Sequence, residues 1–181
     1  MSMAASPPRS ELMAYVVMGV SGSGKSLVGQ ALAEALGLAF AEGDALHPKA
    51  NVEKMSRGIP LDDADRLPWL DRIGEEIANA LSTGKGIVIS CSALKKIYRD
   101  QLRSFADGRL IFVFLKGSEE LLAPRMAART GHFMPPSLLK SQLATLEDPS
   151  AEDKVISVDI SGTTAEVIAE VIFQVRAKTS I

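Results

Sequence analysis

The sequence predicts an α/β fold in which a parallel sheet is covered by helices on both faces. Two observations predict it: short apolar segments alternate with segments of helical periodicity, and a glycine-rich loop joins the first strand candidate to the first helix candidate. A chain of 181 residues fits one compact domain. We expect residues 13–181 to form this domain and residues 1–12 to be a disordered extension.

The strand candidates are short runs of apolar and β-branched residues. Such runs, without alternating polar residues, are typical of strands buried on both faces of a sheet. They lie at residues 13–18, 38–41, 86–91, 110–115 and 154–160.

The helix candidates show apolar residues every three or four positions. The first follows Ser26 and stops at Gly37, and the last begins after Thr163, whose spacing from Glu166 fits a capping box. The other apolar faces run from Leu67 to Leu81, over 94–105 and over two parts of 118–147.

Two stretches interrupt this alternation of strands and helices. Residues 45–82 begin with low apolar density and contain three prolines, which indicates an insertion outside the sheet. The break at residues 130–136 separates two helices, and we expect a mobile lid at about 125–142.

Composition excludes several classes of protein. The net charge of −2 argues against a broad nucleic-acid surface, and one cysteine cannot form an internal disulfide. No run approaches the roughly 18 apolar residues of a membrane span. We therefore expect a cytoplasmic protein without nucleic-acid or membrane partners; a short organellar presequence at the amino terminus is the alternative.

The glycine-rich loop carries the clearest chemical signal. Residues 19–26 satisfy G-x-x-x-x-G-K-[ST] without a mismatch, and they follow a strand and open a helix as a phosphate-binding loop requires. Lys25 would reach the outer phosphates of ATP, and Ser26 would bind Mg²⁺. The nucleotide-binding residues are Gly19, Ser21, Gly22, Ser23, Gly24, Lys25 and Ser26. A purely structural turn is disfavoured because both flanking elements match.

Two carboxylates follow the second strand candidate. The sequence lacks an Asn-Lys-x-Asp guanine-reading segment and an apolar strand that ends in Asp-Glu, which argues against GTPases and motor ATPases. Because strand ends face the ligand crevice of a parallel sheet, Asp44 could accept a hydroxyl proton and Glu42 could order water around Mg²⁺. The alternative is that both residues cap a turn.

Three longer segments, at residues 43–70, 91–103 and 129–149, closely resemble the gluconate kinases of the shikimate-kinase-like group. The resemblance covers nearly all of residues 14–176. It implies a three-layer P-loop kinase fold with a parallel five-stranded sheet, a small substrate-binding insertion and a lid. It also implies transfer of phosphate from ATP to the 6-hydroxyl of D-gluconate, in a carbohydrate-acid catabolism that feeds the pentose phosphate pathway, and a homodimer.

The insertion offers polar groups for an anionic substrate that bears hydroxyls. Arg57 and Arg66 are the preferred carboxylate partners because a guanidinium binds a carboxylate through two parallel hydrogen bonds. Lys49 and Lys54 are better explained as surface charges. For His47, hydrogen bonding to substrate or to Asp44 competes with a structural role.

The turn after the third strand candidate also lies at the crevice edge. By resemblance to related small-molecule kinases, Ser92 would donate to a substrate hydroxyl and Lys95 would meet the carboxylate. Cys91 and Trp69 are expected in the core.

Two arginines lie four residues apart before the lid break and share one helix face. By resemblance, Arg125 would stack on adenine and Arg129 would contact the transferring phosphates; the alternative is an exposed pair of ordinary charges. Residues 132–134 would close over the substrate and exclude water.

The sequence therefore predicts a gluconate kinase whose catalytic residues are Lys25, Asp44 and Arg129. Two alternatives remain open. One is a kinase of the same fold for another acceptor, such as shikimate or a nucleotide. The other is an ATP-binding protein without catalytic activity.

Overall fold

The computed structural model describes residues 12–128 and 137–179, which contain five strands and seven α-helices. The strands are β1 (Ala14–Met18), β2 (Ala39–Glu42), β3 (Ile87–Ser90), β4 (Leu110–Lys116) and β5 (Val155–Asp159). The helices are α1 (Lys25–Leu36), α2 (Lys49–Ser56), α3 (Asp63–Ser82), α4 (Lys96–Arg103), α5 (Glu119–Ala127), α6 (Ser137–Thr145) and α7 (Thr164–Thr179). A short 3₁₀ helix, Gly43–Leu46, follows β2.

All five strands are parallel, in the order β2-β3-β1-β4-β5. The predicted α/β class and five-stranded sheet are confirmed. The central strand β1 is fully buried, as its unbroken apolar sequence predicts. Because the strands are parallel, their carboxyl ends meet at one edge of the sheet, and the loops that follow them can form one site there.

The long helix α3 begins earlier than its apolar pattern indicates. Asp62 caps it by accepting from the backbone N–H of Asp65, while the Asp65 side chain accepts from the backbone N–H of Asp62. The predicted position of Leu67 on the buried face is wrong, since Leu67 is half exposed. The start of α3 contacts α4, and the apolar face that packs on the sheet begins at Trp69.

The amino-terminal residues, the start of α7 and two core residues were each predicted from the sequence. Residue 11 and those before it lie outside the described residues, so the disordered extension stays a prediction. The predicted cap of α7 is confirmed, because Thr163 Oγ1 accepts from the backbone N–H of Glu166. Cys91 and Trp69 are buried, as expected. Within the described ranges, no helix is both long enough and apolar enough to cross a membrane.

Candidate active site

The phosphate-binding loop runs from the end of β1 to the start of α1. Gly22 and Gly24 have φ angles of 81° and 91°, in the left-handed region that side chains disfavour. A Cβ on Gly22 would also lie 2.8 Å from Met126 Cγ. These glycines let the loop wrap closely and leave the amide groups that open α1 facing the site.

Two side chains of this loop fit an anionic ligand. The Ser23 hydroxyl is buried and has no hydrogen-bond partner within residues 12–128 and 137–179. A buried hydroxyl normally finds a partner, and a bound phosphate would supply one. Lys25 Nζ donates to Val20 O at 3.0 Å and also lines the cavity beyond the loop, so its charge lies between the two halves of the site.

The segment after β2 is held rigidly by three contacts. Gly43 lies so close to β3 that a Cβ there would be 2.0 Å from Ser90 O. The Ser90 hydroxyl donates to Glu42 Oε2 at 2.8 Å, and Trp69 Nε1 donates to Gly43 O at 2.8 Å. Asp44, the next residue, therefore has a fixed backbone, while its half-exposed carboxylate lines the cavity.

That cavity lies between the phosphate loop, the insertion and α6. Its polar lining comes from five separate parts of the chain, namely Ser21, Lys25, Asp44, His47, Arg66, Ser92, Ser141 and Gln142. The apolar lining includes Trp69 and Leu138. Hydroxyl, carboxylate and cationic groups thus face one space next to the lysine of the phosphate loop, as a small polar acceptor requires.

His47 is almost fully buried at the base of this cavity, with 3% of its side chain exposed. Its ring stacks on Trp69 with centroids 3.9 Å apart and planes 16° apart. Burial lowers the pKa of His47 to about 4; the charge of Asp44 opposes this shift and the charge of Arg66 adds to it. His47 is therefore neutral at pH 7.

Arg66 is the buried cation of the cavity. Its guanidinium donates to Tyr98 Oη at 3.1 Å and lies 5.1 Å from the centre of the Tyr98 ring. The Tyr98 hydroxyl in turn donates to Asp63. This chain of contacts leaves other guanidinium N–H groups of Arg66 for a ligand in the cavity.

The turn that carries Ser92 is held by a buried arginine that the sequence did not reveal. Arg99 is fully buried and donates to Ala93 O at 2.7 Å and to Glu147 O at 3.0 Å. It also forms two hydrogen bonds, of 3.0 and 2.6 Å, with the Glu152 carboxylate. Arg99 thus joins the turn after β3 to the segment that follows α6.

Several cations named from the sequence lie elsewhere. Lys95 pairs with Asp63 at 3.0 Å, Lys54 pairs with Asp65 at 2.8 Å, and Arg57 is exposed at the end of α2. These three residues do not line the cavity. Arg129 and residues 132–134 lie outside the described residues.

Three further residues were not assigned a role from the sequence. Gln142 lines the cavity and accepts from the Ser21 backbone N–H at 2.8 Å, and Tyr98 anchors Arg66. Asn51, a polar residue of the insertion, contacts His47. Gln142 belongs to the recognisable segment 129–149, but its contact with the loop spans 121 positions and no local pattern indicates it.

A second cleft lies on the other side of the phosphate loop. It has a volume of about 360 Å³ and is lined by Gly22, Ser23, Gly24, Leu27, Val28, Arg125, Ile160, Gly162, Thr163, Thr164 and Val167. Arg125 donates to Ile160 O at 3.0 Å, so its side chain lies across this cleft. Leu27, an apolar residue in the first turn of α1, is exposed here. The cleft has both apolar and polar lining residues, and its volume is large enough for a nucleobase and a ribose.

Together these features define a class. The phosphate-binding loop lies between β1 and α1, the carboxylate of Asp44 follows β2, and the cavity for an acceptor lies next to the lysine of the loop. This is the arrangement of a P-loop kinase.

Comparison with known proteins gives the family. The model of a family described as an AAA domain matches residues 15–149. The gluconokinase of Gluconobacter oxydans is 51% identical over 163 residues, 90% of this chain and 91% of that protein. The thermosensitive gluconokinase of Escherichia coli is 46% identical over 84% of this chain and 82% of that protein. The chain belongs to the gluconokinase family.

Solved structures agree with this assignment. The crystal structure of a gluconokinase from Sinorhizobium meliloti has a TM-score of 0.86 and 55% identity, over 94% of this chain and 95% of that chain. The structure of shikimate kinase from Acinetobacter baumannii in complex with shikimate has a TM-score of 0.58 at 21% identity, over 95% of this chain and 97% of that one. The second likeness concerns the fold alone.

Proposed function

We propose that this protein phosphorylates D-gluconate with ATP and yields 6-phospho-D-gluconate and ADP. The observation that carries the proposal is the cavity in which Asp44, His47 and Arg66 face the lysine of the phosphate loop. An acidic group for a hydroxyl and a guanidinium for a carboxylate match the two chemical features of a sugar acid. The family of the chain supports the same substrate.

ATP fits the loop side of the site. The triphosphate would lie on the amide groups of residues 19–26, and the buried Ser23 hydroxyl would gain the partner it lacks among the described residues. The adenosine would occupy the cleft beside Arg125. Arg129 is proposed to contact the transferring phosphate, as the family resemblance implies.

Magnesium would be held by the Ser26 hydroxyl and, through water, by Glu42. A magnesium ion supplies positive charge to the outer phosphates when it is bound. The described residues fit this role, because Glu42 is fixed by the hydrogen bond from Ser90 at the end of β2.

The acceptor hydroxyl is proposed to lie against Asp44. Its oxygen forms the new bond to the γ-phosphorus while the bond from that phosphorus to the β–γ bridging oxygen breaks, and its proton passes to Asp44. Lys25 neutralises charge on the transferred group. The protein acts mainly by positioning and electrostatics.

The substrate carboxylate is assigned to Arg66, with Ser92 as a hydroxyl contact. Arg57 and Lys95, the other cations suggested by the sequence, lie away from the cavity in this structure, so they would meet substrate only after a movement. The protein is also proposed to work as a cytoplasmic homodimer, with residues 45–82 as the acceptor-binding insertion and 125–142 as its lid.

A coupled assay of ADP formation tests the function. We expect turnover with gluconate and far less with shikimate or nucleoside monophosphates. Turnover of another acceptor alone would support a different kinase of the same fold. Binding of ATP without turnover of any acceptor would support the non-catalytic alternative, and either result would overturn the proposal. The Lys25→Ala variant controls for contaminating kinases.

A further inference from the structure

The contact between Asn51 and His47 identifies the hydrogen-bonding state of the histidine ring. The Asn51 side-chain nitrogen lies 2.9 Å from the backbone oxygen of Asp65 and 3.2 Å from His47 Nδ1. A backbone carbonyl only accepts hydrogen bonds, so the Asn51 atom that faces it is the NH₂ group. The orientation of the amide is therefore fixed by chemistry, and the same NH₂ group faces the histidine.

An amide NH₂ donates and does not accept. His47 Nδ1 must therefore be the unprotonated nitrogen that accepts from Asn51. Burial keeps the ring neutral at pH 7; the charge of Arg66 also lowers the pKa of His47, and the charge of Asp44 raises it. A neutral imidazole carries one N–H, which is therefore on Nε2.

Within residues 12–128 and 137–179, the Nε2 side of the ring has no hydrogen-bond partner. The distance from Nε2 to Asp44 Oδ1 is 3.9 Å, which is too long for a hydrogen bond. Within the described parts of the chain, no hydrogen bond to Nε2 is formed, although only 3% of the side chain is exposed. His47 lines the cavity, and its Nε2 atom is not among the buried side-chain atoms that lack a partner, so this donor opens on the cavity, where a ligand atom can accept from it.

The separation of Nε2 and Asp44 Oδ1 suits one hydroxyl group. An oxygen at ordinary hydrogen-bond distance from both atoms would accept from the histidine and donate to the carboxylate. The Trp69 ring, whose own N–H is bound to Gly43 O, keeps the imidazole plane in position by stacking.

We propose that Asn51 is a positioning residue that fixes the Nε2–H tautomer of His47, so that His47 donates to the substrate hydroxyl that contacts Asp44. The proposal rests on the proposed function for the identity of the substrate, but the tautomer is a property of the protein alone. The proposal gives a reason for the buried amide of Asn51 on α2, which lies beside the acceptor site and does not reach the substrate.

The tautomer is measured directly by long-range ¹H–¹⁵N correlation spectroscopy of untagged, ¹⁵N-labelled protein at pH 7. The chain has two histidines, so a His132→Gln variant, used for this assignment alone, leaves one ring in the spectrum. We expect a pyridine-like Nδ1 and a pyrrole-like Nε2 for His47. The reverse pattern, or rapid averaging of the two nitrogens, would overturn the inference.

A substitution of Asn51 tests the link to the substrate. Asn51→Asp replaces the donor by an acceptor of the same shape, which favours a proton on Nδ1. We expect that proton to appear in the spectrum and kcat/KM for gluconate to fall roughly 10- to 100-fold, with KM for ATP unchanged. Unchanged kcat/KM in a folded variant with the switched tautomer would contradict the proposal.

Two substitutions of His47 provide a matched pair that does not depend on Asn51. The amide nitrogen of glutamine can reach the place of Nε2, whereas that of asparagine reaches only the place of Nδ1. We expect His47→Gln to retain kcat/KM within about tenfold and His47→Asn to lose about 100-fold. Equal losses in the two variants would mean that the Nε2 donor is not what the substrate uses. Melting curves establish that both are folded.

The two proposals fail in different ways. Absence of gluconate turnover by the wild-type protein would remove the proposed function, whatever the spectrum shows. Turnover of gluconate with a proton on Nδ1 of His47 would remove this inference and leave the function in place.

Discussion

The two sides of the active site are built in different ways. The phosphate side is one continuous segment, residues 19–26, whose backbone amides and glycine conformations suit an anionic ligand. The acceptor side is assembled from α2, α3, α6, the turn after β2 and the turn after β3. A phosphate-binding loop formed by the backbone is compatible with many acceptor substrates, whereas a cavity formed by side chains from several elements selects one acceptor. The first side therefore indicates a class of enzyme and the second indicates its substrate.

The largest effect is expected at the carboxylate that joins the two sides. Asp44→Ala should lower kcat for gluconate by roughly 10²- to 10⁴-fold, because the acceptor hydroxyl loses the group that orients and deprotonates it. Binding of ATP, measured by calorimetry, should be nearly unchanged. Near-normal kcat would remove Asp44 from the mechanism.

The next effect concerns the backbone that carries Asp44. Gly43→Ala would place a Cβ 2.0 Å from Ser90 O, so it should destabilise the fold by about 3 kcal/mol. Chemical denaturation gives this value. The control is Gly84→Ala, where no atom lies within 4 Å and only the positive φ of 75° is strained, at a cost of about 1 kcal/mol. Equal losses would show that the β2–β3 edge is not tightly packed.

The buried histidine should make stability depend on pH. The pKa of His47 is about 4 in the folded protein against an ordinary value of 6.5, so below pH 6.5 the unfolded chain takes up a proton that the folded protein does not. Stability should therefore fall as the pH decreases from 6.5 to 4, by about 2 to 3 kcal/mol from this residue.

Denaturation of the wild type and of His47→Gln at several pH values measures this contribution. The difference in unfolding free energy between the two proteins should change across that window and be constant above pH 7. A constant difference throughout would mean that His47 titrates normally.

The smallest effect separates two arginines that look alike in the sequence. Arg66→Lys should raise KM for gluconate about tenfold, because lysine cannot form the two parallel hydrogen bonds of a guanidinium. Arg57→Lys, on an exposed position, should change nothing measurable. Similar effects of the two substitutions would place Arg57 in the acceptor site after closure.

The same contrast explains how far the sequence could be understood alone. The strand, glycine loop and helix are consecutive, so the phosphate site follows from local chemistry. The fold follows from periodicity, although the pattern failed at Leu67, where α3 extends past the sheet to α4. The pairing of Lys95 with Asp63 joins residues 32 positions apart and depends on how α3 and α4 pack, which spacing does not reveal.

The acceptor side was only partly foreseen for the same reason. Arg66 and His47 were candidates because of their chemistry, but so were Arg57 and Lys95, and only the packing separates them. The role proposed for Asn51 depends on the approach of α2 to the Asp65 carbonyl. Contacts of this kind arise from tertiary structure, and a single sequence does not encode them in any local pattern.

The stacking of Trp69 on His47 has a practical consequence. Trp69 is the only tryptophan of the chain, it is buried, and its ring lies in the wall of the acceptor cavity. Its fluorescence is therefore an intrinsic optical signal for this side of the site, separate from the nucleotide cleft. Acceptor affinity can be followed in real time on the unlabelled protein, without turnover and without a coupling enzyme.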